Sequence, residues 1–231
     1  MNEIYENVAR IREEMAAAEA RAGRKPGEVQ LLAATKMNDA QRVRAAIAAG
    51  VDACGENRVQ ELQEKLAQDA YQGAPLHFIG HLQKNKAKFL VGQVDLIQSV
   101  DSLELMALLN RLAEARQVRQ DILVEINVGG EAAKSGIPPE MADEIAGKME
   151  EYPSLCLRGF MTIPPVAEEI GGNLHFFAKL YQLYVDIRAK KYDNTNIDCL
   201  SMGMSDDFAD AIQEGSTMIR VGTRIFGARQ Y

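Results

Sequence analysis

Lys36 closes the apolar run Leu31-Leu32-Ala33-Ala34-Thr35, and an amine at that place has more chemistry to offer than any other single residue of the chain. In a buried strand the side chains alternate between two faces, so Lys36 belongs on the face of Leu32 and Ala34. Burial disfavours an ammonium and moves a lysine toward the range in which its free amine attacks a carbonyl. The competing reading is a strand that has simply ended, with Lys36 snorkelling into water. Two further stretches suit an anion: Ser201-Met-Gly203-Met-Ser205 and Gly222-Thr223. Small residues let backbone N–H groups come close to a phosphate, and a helix start favours negative charge by up to about 2 kcal/mol. Ordinary turns between strands and helices have the same composition. Arg220, set in the apolar Thr217-Met-Ile-Arg-Val221, needs a carboxylate or a ligand acceptor if it is buried. Glu125, within Ile122-Leu-Val-Glu-Ile-Asn127, is the obvious partner, and a structural ion pair and a ligand contact both satisfy the pair.

The elements that must position these groups are legible in the hydrophobic pattern. Ile4, Val8, Ile11 and Met15 recur at helical spacing up to Gly23, which predicts an amphipathic helix over 1–23. Short apolar runs follow at Val29–Thr35, Val51–Cys54, Leu76–Ile79, Val94–Gln98, Ile122–Asn127, Leu155–Met161, Ile197–Leu200 and Met218–Val221, with helical patterns between them. Only the segment after Gln83 reads as a short, weak helix. Asp101-Ser-Leu-Glu104 has the form of a capping box, Ser205-Asp-Asp207 that of an N-cap, and Gly50 and Gly215 stand where helices should stop. Strands alternating with helices, without a Pro/Ser-rich linker, predict an α/β fold: a single (β/α)8 TIM barrel over 28–227 with an extra N-terminal helix, all within one domain, 1–231. An open doubly wound sheet is the competing architecture. In a barrel, chemistry collects at the C-terminal strand ends, and these carry Lys36, Glu56-Asn57, His81, Ser99, Asn127, Met161-Thr162, Ser201 to Ser205 and Gly222-Thr223.

Composition limits the function classes. A net charge of -7 disfavours a general nucleic-acid or anionic-membrane binder. The acidic N-terminal helix is no signal or transit peptide and no stretch is apolar enough for a bilayer span, so a cytoplasmic protein is expected. Cys54, Cys156 and Cys199 sit apart in strand-like runs, which suits buried reduced thiols, and neither they nor His77, His81 and His175 show metal-ligand spacing. Lys84, Lys86 and Lys88 read as a solvated face. Lys134, in the Gly-rich loop 129–136, either orders over a ligand or is an ordinary loop residue. Phe177, Leu180, Tyr181 and Tyr184 read as packing.

A lysine at the first strand end, a phosphate cradle after the last two strands and a buried arginine together suit pyridoxal 5'-phosphate, PLP. The motifs Ala33-Ala-Thr-Lys36, Gly55-Glu-Asn-Arg-Val-Gln60, His77-Phe-Ile-Gly-His-Leu-Gln-Lys-Asn-Lys86, Lys134-Ser-Gly136, Gly159-Phe-Met-Thr-Ile-Pro164, Leu200-Ser-Met-Gly-Met-Ser-Asp-Asp207 and Arg220-Val-Gly-Thr-Arg-Ile-Phe-Gly227 resemble those of the pyridoxal phosphate homeostasis proteins. The resemblance runs from about Leu31 to Gly227. It implies a barrel like the N-terminal domain of alanine racemase, with PLP held as a Schiff base on Lys36. By motif matching, Ser201, Gly203, Gly222 and Thr223 would belong to the phosphate site, Arg220 would face the ring nitrogen, and Asn57, His81 and Met161 would line the ring pocket. Thr162 and Arg224 depart from the residues usual in the family, and no expected contact rests on them.

Two functions compete for such a site. An arginine stays protonated, so Arg220 would leave the ring nitrogen without a proton and weaken the cofactor as an electron sink. Racemisation needs acid/base groups on both faces, and the racemases resembled take the second from another domain, for which this sequence shows no room. A carrier that stores, sequesters and delivers PLP in intracellular PLP homeostasis is therefore expected, with apo PLP-dependent enzymes as possible recipients and a monomeric state. A low-activity amino-acid racemase is the alternative, and a nucleic-acid module built on Lys84 to Lys88 has little behind it.

Overall fold

Eight parallel strands pair in sequence order, and the last returns to the first: β1 (Gln30–Ala34), β2 (Ala53–Glu56), β3 (Leu76–Phe78), β4 (Leu96–Val100), β5 (Gln120–Glu125), β6 (Leu155–Met161), β7 (Thr195–Ser201) and β8 (Met218–Val221). The computed structural model describes residues 2–131, 134–167, 169 and 171–227. Pairing of Leu32 with Arg220 and of Ala33 with Val221 closes the barrel and excludes the open sheet. Along each strand the side chains divide. Leu31, Ala33, Cys54, Ile97, Val124, Phe160, Leu200 and Ile219 face outward into the layer beneath the helices. Leu32, Ala34, Ala53, Ile79, Leu96, Leu123, Met161, Cys199 and Met218 form a separate inner cluster. This two-residue period decides which side chains reach the barrel mouth.

The helices are α1 (Asn2–Arg21), α2 (Ala40–Ala48), α3 (Val59–Leu66), α4 (Leu103–Ala115), α5 (Ala142–Gly147), α6 (Leu174–Lys190), α7 (Phe208–Gln213) and α8 (Thr223–Phe226). After β3 there is only a 3-10 segment, Lys84–Phe89, where a short, weak helix is expected. With only four residues, α8 cannot cover the β8–β1 side of the barrel. Helix α1 packs against α7, α8 and α2 and completes the outer ring there. It buries Ile4, Val8, Ile11 and Met15, each contributing roughly 1.5–3 kcal/mol. Its buried Glu19 carboxylate accepts from Gly27 N at 2.9 Å and Val29 N at 2.7 Å and so directs the chain into β1.

Several boundaries differ from the sequence expectation for identifiable reasons. β5 ends at Glu125: Ile126 N still donates to Met161 O at 2.8 Å, but the residue forms an isolated bridge with Ile137 beyond the strand. Helix α4 is capped by Ser102, whose oxygen accepts from Leu105 N at 3.3 Å, while Glu104 reaches Lys84 instead of closing a capping box on Asp101. Asp207 does not cap α7: its carboxylate accepts from Met204 N at 2.7 Å and Asn173 Nδ2 at 2.8 Å, which pins the loop after β7. Gly50 and Gly215 do follow helix ends, with φ of 95° and 94°. The three cysteines are buried and unbridged. Among the described residues no helix is long and apolar enough to cross a membrane, and no cluster of three His, Cys, Asp or Glu side chains forms.

Candidate functional site

Thr35 is fully buried and turns outward, since its hydroxyl donates to Glu56 Oε1 at 2.6 Å. The alternation then sends Lys36, the next residue and half-buried, toward the barrel axis above Ala34. The same parity brings Asn57, His81, Glu125, Met161, Ser201, Gly203, Arg220 and Gly222 to the inward side of the C-terminal strand ends. The expected site residues from six different strands thus share one mouth.

The turn bearing Lys36 rests on a buried charged cluster behind the barrel wall. Glu56 Oε1 accepts from Thr35, from Tyr71 OH at 3.1 Å and from Lys65 Nζ. Lys65 Nζ also donates to Thr35 O at 2.8 Å, and Glu61 Oε2 accepts from Met37 N at 2.7 Å. The backbone on both sides of Lys36 is therefore tied to α3. Burial, with the Glu56 carboxylate second, pushes the Tyr71 phenol far up, and the same causes push the Cys54 thiol up to about 12. Both are neutral and inert at physiological pH. The sequence singles out neither Lys65 nor Tyr71, because a lysine in an amphipathic helix reads as surface.

Arg220 is fully buried at the mouth but is not paired with Glu125 as expected. Its Nη1 donates to Ser201 O at 2.8 Å and Ser201 Oγ at 2.6 Å, and its Nη2 to Thr162 O at 2.7 Å. Three of the guanidinium's five N–H donors are thus engaged, and two are left over. Burial lowers its pKa to about 10, which leaves it charged at neutral pH. Glu125 has its carboxyl raised to about 6, first by burial and then by the Asp101 charge, with Arg220 and His81 opposing. His81 is exposed, its Nδ1 lying 3.2 Å from Ser135 Oγ and 3.4 Å from Asp101 Oδ2. Lys134 is a strut in this rim, donating to Pro164 O at 3.2 Å and pairing with Glu131 at 3.0 Å. Lys84 and Lys88 are exposed, and Lys84 pairs with Glu104 at the start of α4.

Two close approaches shape the ring side and the anion side. A Cβ on Gly80 would lie 2.2 Å from Asn57 O, so only glycine lets β3 exit against Asn57. The Asn57 Oδ1 held there is buried and has no hydrogen-bond partner. On the other side, Thr223 Oγ1 donates to Ser205 Oγ at 3.1 Å, which joins the loops after β8 and β7 as the cradle requires. Gly203 there has φ of 92° and packs against Ala211 and Phe208, while Gly222 lies against Ala34. Ser201 differs from Thr223 in kind. Its hydroxyl is fully buried between Arg220 and Gln98, so its side chain serves the arginine and only its backbone adjoins the cradle.

Comparison with known proteins agrees with this fold. Residues 3–230 match the family model described as alanine racemase, N-terminal domain. A pyridoxal phosphate homeostasis protein from Escherichia coli is 40% identical over 234 residues, covering 100% of this chain and 99% of that protein. A crystal structure of an unknown protein from Bifidobacterium adolescentis is 40% identical with a TM-score of 0.91, over 97% of this chain and 95% of that one. PipY from Synechococcus elongatus, solved with PLP bound, is 32% identical with a TM-score of 0.80, over 94% and 100% of the two chains.

Proposed function

The chain belongs to the alanine racemase N-terminal domain family, among the pyridoxal phosphate homeostasis proteins, and from that premise we propose that it binds PLP at the barrel mouth, as a Schiff base on Lys36, and stores and delivers it in the cytoplasm. One observation carries the reading: the mouth offers a buried acceptor without a donor, Asn57 Oδ1, and a buried cation with donors left over, Arg220. A pyridine ring bearing a hydroxyl donor and a nitrogen acceptor complements both, and its phosphate suits the joined loops of Ser205 and Thr223. When bound, PLP supplies an aldehyde, the electrophile that a lysine amine can capture.

The chain's own residues have separable tasks. Lys36 is the tether, held in place by the Glu56–Lys65 cluster beneath its turn. Asn57 and Met161 bound the ring, with His81 at the open edge. Ser205, Thr223 and the glycines 203 and 222 admit the phosphate. Arg220, which keeps its proton, would face the ring nitrogen and leave it without a proton, a poor electron sink. That electronic consequence discourages decarboxylation and transamination, and a racemase would need a second acid/base group on the face opposite Lys36. Three unbridged thiols suit a reducing compartment, and apo PLP-dependent enzymes are the natural recipients of a delivered aldehyde. We take the working unit to be a monomeric, single-domain barrel.

The test is spectroscopic. Purified protein given PLP should develop a visible absorbance band that Lys36→Ala lacks; a protein that stays colourless would overturn the reading. Loaded protein should then activate an apo PLP-dependent enzyme. Sustained α-proton exchange of amino acids in heavy water, with turnover, would replace the carrier with a racemase-type enzyme.

A further inference from the structure

Arg220 is the start of a hydrogen-bond chain that runs down the inside of the barrel. Its Nη1 donates to Ser201 Oγ at 2.6 Å; Ser201 Oγ lies 2.7 Å from Gln98 Oε1; and Gln98 Nε2 lies 2.9 Å from His77 Nδ1. Every link is buried: Gln98 and Ser201 are fully enclosed and His77 is 6% exposed. The direction of the chain follows from its first member. A guanidinium can only donate, so Ser201 Oγ accepts from it and turns its single proton to Gln98. That requires the amide oxygen to face Ser201, which fixes the amide orientation and aims its N–H at His77. His77 Nδ1 must then accept, which places the imidazole proton on Nε2, facing a polar cavity of about 370 Å³ at the opposite end of the barrel. Burial lowers the His77 pKa to about 4, in keeping with a neutral ring.

We propose that Gln98 and His77 are positioning residues for Arg220: by accepting the Ser201 proton and orienting the amide that accepts it, they fix the guanidinium so that its remaining donors face the ring nitrogen of the cofactor. The effect is one of degrees of freedom. Without Gln98 as acceptor, the Ser201 proton can turn only to a backbone carbonyl, since Arg220 accepts nothing, and the lone pair that receives Arg220 loses its fixed direction. Gln98 Nε2 is also 3.2 Å from Met218 Sδ, a weak acceptor that cannot replace His77. Gln98 and His77 are enclosed below Ser201, so neither would touch the cofactor.

The inference rests on the PLP-binding reading, and its test separates the two. Nitrogen NMR of the histidine ring in the protein without added PLP should show His77 as the Nε2–H tautomer, unchanged between pH 5 and 8. An Nδ1–H tautomer, or titration in that range, would overturn the chain whatever the cofactor does. PLP titration followed by absorbance should then show about tenfold weaker binding for Gln98→Leu, which removes both links. Gln98→Glu keeps an oxygen for Ser201 in either protonation state and should bind within about threefold of the parent. Equal affinity of the Gln98→Leu and parent proteins would refute the positioning role, as would Gln98→Glu binding no better than Gln98→Leu. Should Gln98→Leu not fold, His77→Leu, which leaves the amide free to flip, takes its place with the same expected loss. A parent protein that binds no PLP sinks the cofactor reading and with it the positioning role, while the tautomer result still reports on the chain.

Discussion

Lys65→Met tests whether the charged cluster under the Lys36 turn is as tightly coupled as its geometry implies. The side chains of Lys65 and Glu56 are 7% and 0% exposed, and the ammonium bonds both Glu56 Oε1 and Thr35 O. Methionine conserves most of the volume and removes the charge. Glu56 would keep the Thr35 and Tyr71 hydroxyls as donors but would have no cation in contact. Removing one member of a buried ion pair costs about 3–5 kcal/mol, because the remaining charge is left in low dielectric. For a chain of this size each kcal/mol lowers Tm by about 2–4 °C, so a fall of roughly 6–20 °C is expected. The double variant Lys65→Met/Glu56→Gln should recover most of that loss, since it removes the stranded charge but keeps an acceptor for both hydroxyls. Thermal melts by circular dichroism read both numbers. A drop below about 2 °C, or a double variant as unstable as the single, would refute the claim that the pair is buried and coupled. On the proposed function, the single variant should also capture PLP more slowly, since Thr35 O immediately precedes Lys36.

Other perturbations test other parts of the structure. Gly159→Ala should prevent or severely weaken folding, by more than about 4 kcal/mol, because φ is 141° and the added Cβ would lie 1.8 Å from Cys199 O; a soluble variant with an unchanged melt would be the contrary result. Gly80→Ala pushes on Asn57 backbone at 2.2 Å and should weaken PLP binding by about tenfold or more, read by absorbance titration; parent-like affinity would dissociate Asn57 from the ring. The pH dependence has two opposing parts. His77 is held near 4 against an ordinary 6.5, so the unfolded chain binds its proton first and stability rises with pH across that window, by about 3 kcal/mol. Glu125 is held near 6 against 4.5, so the folded chain binds that proton and stability falls as pH rises from 4.5 through 6, by about 2 kcal/mol. Glu125→Gln removes only the second part, and its Tm advantage over the parent should grow by several degrees between pH 4.5 and 6; a constant difference would contradict the assignment.

The barrel and the position of Lys36 were legible in the sequence for one physical reason: a buried strand reports its faces through a period of two. Leu32 and Ala34 mark the inner face by their spacing alone, while in β4, β6 and β7 an irregularity shifts the parity, so that Ile97 and Val100, Leu157 and Phe160, and Ile197 and Leu200 each share the outer layer three residues apart. What a period cannot report is which residue on another strand lies at the same height. Glu125 and Arg220 share the interior, yet the arginine bends to the carbonyls of Ser201 at the end of β7 and of Thr162 just past β6, and the expected ion pair is not made. The sequence singles out neither Gln98 nor His77 for a role beside Arg220, because each is one polar residue within an apolar run. The signal was present all the same: both occupy inward parity on adjacent strands, and polar groups so enclosed must find one another. Lys65 gave no such signal, since its helix looks amphipathic and only the outward-facing Glu56 behind it makes the lysine a core residue.

The same features that would hold PLP firmly also bear on what it can do once held. A ring nitrogen facing a guanidinium gains a strong hydrogen bond and forgoes a proton, so grip and electron withdrawal are opposed at Arg220. The titratable groups near the mouth do not offset this. Glu125, raised to about 6, is at the depth of Met161, and His81 is engaged with Ser135 and Asp101 at the exposed rim. Arg220→Glu would reverse the opposition, offering the ring nitrogen a proton and leaving Ser201 and Thr162 carbonyls short of donors. That variant should bind PLP more weakly yet exchange the α-proton of bound amino acids faster in heavy water than the parent does. Weaker binding without faster exchange would mean that the arginine does not set how readily a bound amino acid loses its α-proton.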